Sequence, residues 1–115
     1  MRELVKVFKA LADKNRLRIL KMLQQKKMCV CELSAALGIT QPSVSRHLSL
    51  MKDAGLVNDE RNGPWIDYEL CEENINRYAH VIQSHLIGWI NDDPKVKEDL
   101  KKIRTLKREE LCSKV

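Results

Sequence analysis

Residues 40–54 read Thr40-Gln41-Pro42-Ser43-Val44-Ser45-Arg46-His47-Leu48-Ser49-Leu50-Met51-Lys52-Asp53-Ala54. Thr40 is a good N-cap, and Pro42 falls in the first turn, where a missing N–H costs little. Val44, Leu48 and Met51 recur at i, i+4, i+7 and predict one buried stripe on a helix. That stripe leaves Gln41, Ser43, Ser45, Arg46, His47 and Ser49 as the candidate outer surface. The set is short, polar and rich in hydrogen-bonding groups, whereas an ordinary solvated helix carries more Lys and Glu. It suits the floor of a DNA major groove, where Arg prefers guanine and Gln prefers adenine.

The flanks decide what kind of fold carries this helix. Upstream, a brief helix over 31–37 is ended by Gly38 as its C-cap, which makes a helix-turn-helix. Downstream, Gly55 stops the helix. Residues 56–61 and 65–70 then read as two strands, with Asn62-Gly63 as a hairpin-turn signal between them. A helix-turn-helix followed at once by a hairpin is a winged helix-turn-helix: mainly α, with a small β-hairpin. Arg61 is the hairpin's candidate phosphate contact; Asp59, Glu60 and Asp67 make the wing otherwise acidic.

Before this unit, Leu4, Phe8 and Leu11 predict a helix over 3–12. Asp13 predicts the N-cap of a second helix over 14–24, with Leu17, Leu20 and Leu23 inward and Arg16, Arg18 and Lys21 on a solvated face. After it, Ile75, Tyr78, Ala79, Ile82, Leu86 and Trp89 form a wide apolar stripe over 74–90. A stripe that wide on a small domain implies burial against a second subunit, hence a homodimer. Residues 1–92 are therefore expected to form the DNA-binding and dimerisation domain. Residues 93–115 are expected to form a basic helix or tail.

Composition sets outer bounds. With 115 residues, 43% of them hydrophobic and 32% charged, the chain suits one globular domain. The net charge is +5, which permits nucleic-acid binding without requiring it. No apolar run approaches the roughly 20 residues of a membrane span. No signal-peptide pattern opens the chain, so a cytoplasmic location is expected. Four cysteines would be thiols there rather than disulfides. An enzyme is not expected: no His/carboxylate partner serves a cysteine nucleophile, and no Gly-rich phosphate loop occurs.

Two cysteines lie one residue apart, in Met28-Cys29-Val30-Cys31-Glu32-Leu33. In a regular helix or strand their side chains diverge. One ion gathers both only where the backbone is irregular, as just outside a helix start. A helix N-terminus would also favour thiolate. Thiolates suit soft, thiophilic centres. The same spacing fits two small buried core residues.

The motifs together resemble the ArsR/SmtB metalloregulators, closest to the arsenical-resistance operon repressors. The resemblance rests on residues 9–20, on Cys29-Val30-Cys31-Glu32-Leu33, on Gln41-Pro42-Ser43-Val44-Ser45-Arg46-His47-Leu48, and on Gly63-Pro64-Trp65-Ile66-Asp67-Tyr68-Glu69-Leu70. It implies a homodimeric repressor on double-stranded operator DNA, released when As(III) binds the Cys29 and Cys31 thiolates, with Sb(III) left open as a second inducer. A regulator of the same fold that senses cadmium, lead or thiol oxidation is the alternative. The family motif often has a further cysteine where this chain has Ser34. A third ligand would then come from Cys112 or Cys71, from the partner chain or from a small cellular thiol.

Overall fold

The computed structural model describes residues 1–73 and 75–112. Its elements run α1 (Arg2–Leu11), α2 (Lys14–Leu23), β1 (Met28–Cys29), α3 (Val30–Leu37), α4 (Gln41–Asp53), β2 (Val57–Asn62), β3 (Trp65–Leu70), α5 (Arg77–Leu86), α6 (Pro94–Ile103) and α7 (Arg108–Cys112). The three strands form one antiparallel sheet, in the order β1-β3-β2. The winged helix-turn-helix expected from the sequence is present.

Local signals place most boundaries. Asp13 caps α2, its carboxylate accepting from the Arg16 N–H at 3.1 Å. Thr40 caps α4, its hydroxyl accepting from the Ser43 N–H at 3.3 Å. Gly38 closes α3 at φ 73°. Val44, Leu48 and Met51 are fully buried among Leu20, Leu33 and Leu56 in one core cluster. The hairpin turn falls one residue later than expected. Asn62 still pairs with Trp65, so Gly63-Pro64 is the loop. A left-handed glycine (φ 62°) followed by proline's fixed negative φ is the chemistry of a two-residue turn.

Three expectations are corrected. In α1 the buried residues are Val7 and Ala10, while Phe8 is 57% exposed. The face expected inward is partly an outer face. Arg16, Arg18 and Lys21 are not a solvated face. Arg16 donates to the Ala10 and Lys9 carbonyls at 2.7 and 3.0 Å. Arg18 grips Asp99 of α6 through two hydrogen bonds of 2.7 and 2.9 Å. Lys21 is 2% exposed and donates to the Leu86 carbonyl at 2.7 Å, with its pKa lowered by burial. Third, α5 is shorter than residues 74–90. Asn76 caps it, its side-chain oxygen accepting from Tyr78 N–H at 3.0 Å. Lys21 takes up the carbonyl at its C-terminal end. The expected start, Asn74, lies outside the described residues. Of the segment expected as a basic helix or tail, residues 94–103 are a docked helix. Asp93 caps α6, and Val96, Asp99 and Ile103 are buried.

Buried Asn76 also ties three helices together, donating to the Glu3 and Ala54 carbonyls at 3.1 and 3.2 Å. Gly55 makes room for it: a Cβ there would lie 2.9 Å from the Asn76 Cβ, and its φ is +78°.

Candidate functional site

Cys29 occupies a junction. It ends β1, opposite Asp67 of β3, and is the N-cap of α3 with extended dihedrals of −90° and 171°. Glu32 closes a capping box, its carboxylate accepting from the Cys29 N–H at 3.0 Å, with the thiol standing where Ser or Thr usually does. The backbone irregularity that a Cys-X-Cys chelate needs is therefore present. The thiol does not gain the acidity expected of a helix start. Burial pushes the Cys29 pKa up, outweighing the Glu32 backbone N–H that pulls it down, and the Glu32 carboxylate raises it further.

Cys31 is half-buried, one residue inside α3. Its sulfur is disulfide-bonded, so the expectation of thiols throughout fails at this position. The Gln41 side-chain amide donates to the same sulfur at 3.7 Å. A candidate ligand thus touches the first residue of α4.

A charged cluster that the sequence reading missed lies beside this junction. Arg108, the first residue of α7, donates to Glu32 Oε1 at 2.9 Å and to Asp67 Oδ1 at 2.6 Å. Its guanidinium stands 5.0 Å from the Trp65 ring centroid. Burial would push Asp67 up, but the Arg108 and Asn62 hydrogen bonds hold its carboxyl below the ordinary value. The planar, forked guanidinium lets one side chain bind two carboxylates. One residue thereby joins α7, the start of α3 and the wing.

The remaining sulfur candidates are placed unequally. Ser34 spends its hydroxyl on the Ile39 carbonyl at 2.6 Å. Cys71 is 3% exposed, with its thiol toward the Glu73 carbonyl at 3.6 Å. It lies four strand positions beyond Asp67, the partner of Cys29, a separation of about 13 Å. Cys112 ends α7; its side chain lies outside the described residues. Among the described residues no group of three or more His, Cys, Asp or Glu is arranged to hold a metal.

On α4, Gln41, Ser45, Arg46 and Ser49 are exposed and Ser43 is half-buried. Arg46 donates to the Ser43 hydroxyl at 3.1 Å, so these two stand together near the helix start. His47 differs from its neighbours. Its Nδ1 lies 3.1 Å from Arg16 Nη1, which ties α4 to α2. Arg61 is exposed on β2. The acidic wing is largely neutralised: Asp59 pairs with Lys52 at 3.0 Å, and Glu60 and Glu69 with Lys27 at 3.8 and 3.2 Å. No helix among the described residues is long and apolar enough to cross a membrane.

Comparisons with known proteins fit this geometry. The family model described as "Bacterial regulatory protein, arsR family" matches residues 13–59, which run from the α2 cap into β2. The arsenical resistance operon repressor of Bacillus subtilis is 40% identical over 66% of this chain and 73% of its own length. That of Escherichia coli K12 is 43% identical over 57% of this chain and 57% of its own. The match spans about half the length of the first curated relatives. Among solved structures, the homodimeric winged helix-turn-helix domain of Mb0332 from Mycobacterium bovis superposes with a TM-score of 0.63. It is 28% identical and covers 79% of this chain and 84% of that one. These relatives are DNA-binding transcriptional regulators, not enzymes. With its helix-turn-helix, its wing and these relatives agreeing, the chain belongs to the arsR family of bacterial regulatory proteins.

Proposed function

We propose that this chain is an arsenite-responsive repressor that holds operator DNA as a homodimer and lets go when As(III), or Sb(III), binds Cys29 and Cys31. The observation that carries the reading is the 3.7 Å contact between Cys31 Sγ and the Gln41 amide. The candidate inducer ligand and the candidate base-reading helix meet there with no residue between them. Drawing the Cys29 and Cys31 sulfurs onto one centre re-forms the start of α3, removes the Gln41 contact and turns α4 against the DNA. A coupling of a few kcal/mol suffices for release.

A second copy accounts for the outer apolar face. Phe8 of α1 and Val81 of α5, with Ile75, Ile87 and Trp89 beside them, are between 49% and 67% exposed, an unusual load for a small monomer. Two α4 helices on a symmetric dimer then address two half-sites of a near-palindrome. Gln41, Ser43, Ser45, Arg46 and Ser49 face the groove, and Arg61 reaches phosphate. His47 contributes through Arg16 rather than through bases.

The test is fluorescence anisotropy of the phosphine-reduced protein on the DNA upstream of its gene, titrated with arsenite. Cys29→Ser/Cys31→Ser keeps operator binding, since neither thiol lies on the exposed face of α4, and loses arsenite-induced release. Normal release by that double variant sinks the reading. The pH dependence separates inducers. Arsenous acid is neutral and gives up its hydroxyls as water with the thiol protons, so its binding releases no net proton. A divalent cation must expel protons from thiols such as the raised Cys29. Arsenite affinity is therefore flat from pH 6 to 8 on this reading, whereas that for cadmium rises with pH.

A second reading, thiol oxidation as the signal, is favoured by the disulfide-bonded state of Cys31. Release by peroxide at lower concentration than by arsenite selects it.

A further inference from the structure

Arg16 of α2 stands between the end of α1 and the middle of α4, and each nitrogen of its guanidinium has its own acceptor. Nε and Nη2 donate to the Ala10 and Lys9 carbonyls at 2.7 and 3.0 Å, and Nη1 lies 3.1 Å from His47 Nδ1. The two carbonyls belong to the last turn of α1, where a helix has acceptors to spare and the negative end of its dipole. Asp13 holds the arginine from its own side. One carboxylate oxygen accepts from the Arg16 N–H, and the other stands 3.9 Å from Nη1. The Arg16 side chain is 14% exposed, so this fork is largely shielded from solvent. A guanidinium offers only donors, which makes His47 Nδ1 the acceptor of the pair.

His47 is half-buried. It lies one helical turn beyond Ser43 and next to Arg46, two candidate base readers that are bonded to each other. A second charged link from α1 to α4, Lys6 with Asp53 at 3.3 Å, joins two exposed side chains, and exposed pairs hold little.

We infer that Arg16 and His47 are positioning residues for operator recognition: the fork fixes the rotation of α4 against the end of α1, and with it the aim of Ser43 and Arg46. This rests on the operator-binding part of the reading above and is independent of the inducer. Helix α1 carries Phe8 on the outer face assigned to the second copy. One arginine therefore ties the reading helix to a helix at the subunit boundary. Two half-sites are read together only when both α4 helices hold the same pitch.

The test is anisotropy of the reduced full chain, without inducer, on the DNA upstream of its gene. It is repeated on duplexes in which each base pair of the protected site is changed in turn. His47→Ala weakens binding by about tenfold, the scale for residues that modulate a site without touching its ligand, and by the same factor on every duplex. His47→Asn restores binding, because its side-chain oxygen replaces Nδ1 as the acceptor. Arg16→Lys keeps a cation at the α1 carbonyls but has no fork to span both helices, and it binds as weakly as His47→Ala. Combining the two adds no further loss, since both break the same link. Failure of His47→Asn to restore binding, or additive losses in the double variant, overturns the inference. So do affinities that merely follow thermal stability across the variants. Discrimination lost at a single base pair in His47→Ala makes the imidazole a direct reader and also overturns it. Absence of sequence-selective binding by the wild type overturns the operator reading itself, and this inference with it.

Discussion

The helix starts of α3 and α4 are eleven residues apart in the chain and differ in almost every physical respect. The α3 start is buried, capped by a charged carboxylate, and cross-linked to the wing and α7 through Arg108. The α4 start is exposed, capped by the Thr40 hydroxyl, with Pro42 and small polar residues in its first turn. A buried charged network is costly to disturb but well defined, which suits a place where binding has to change structure. An exposed helix start with small polar side chains suits a surface that reads a ligand. Gln41 and Cys31 join the two.

That contrast orders the expected effects. The largest comes from α4's inner face, which neither start controls. Leu48→Ala empties a fully buried site and costs about 3–4 kcal/mol in denaturant unfolding. Ser49→Ala, next to it on the outer face, leaves stability within about 0.5 kcal/mol and weakens operator binding. An equal stability loss at both positions would break the assignment of faces.

Next comes Glu32→Ala. It strands a buried Cys29 N–H and removes one of the two Arg108 partners, at a cost of about 2–3 kcal/mol. Thr40→Ala removes the corresponding cap at the solvent-exposed start and costs about 1 kcal/mol. Thermal unfolding of both variants sharpens the comparison; a larger loss at Thr40 would reverse it.

The smallest effect is one of pH. The Asp67 carboxyl is held below its ordinary value in the folded chain. Its contribution is therefore fully present above the unfolded carboxylate pKa of about 3.9, and it is lost as pH falls through the lower folded value. Asp67→Asn should flatten the stability profile below about pH 4 and leave its slope near neutrality unchanged. An unchanged acid limb would mean that Arg108 does not pair with Asp67 in solution.

What the sequence determined by itself is local or periodic. The caps at Asp13 and Thr40, the glycine stop at Gly38, the buried stripe of α4 and the strand of Trp65–Leu70 were all legible. Each depends on residues within a turn or two of one another, and backbone geometry dictates their spacing. The irregular backbone at Cys29 was legible for the same reason. Only the tertiary structure decided where long charged side chains go. Arg16, Arg18, Lys21 and Arg108 look alike as exposed basic residues in the sequence. In the fold they reach carbonyls and carboxylates on other elements, 81 residues away in the pair of Arg18 with Asp99 and 76 in that of Arg108 with Glu32. The Cys29 thiol's resistance to ionisation and the seating of α7 on the cysteine junction follow from the same cause. Burial and charge pairing are sums over neighbours in space, and the chain brings those neighbours together only after it has packed.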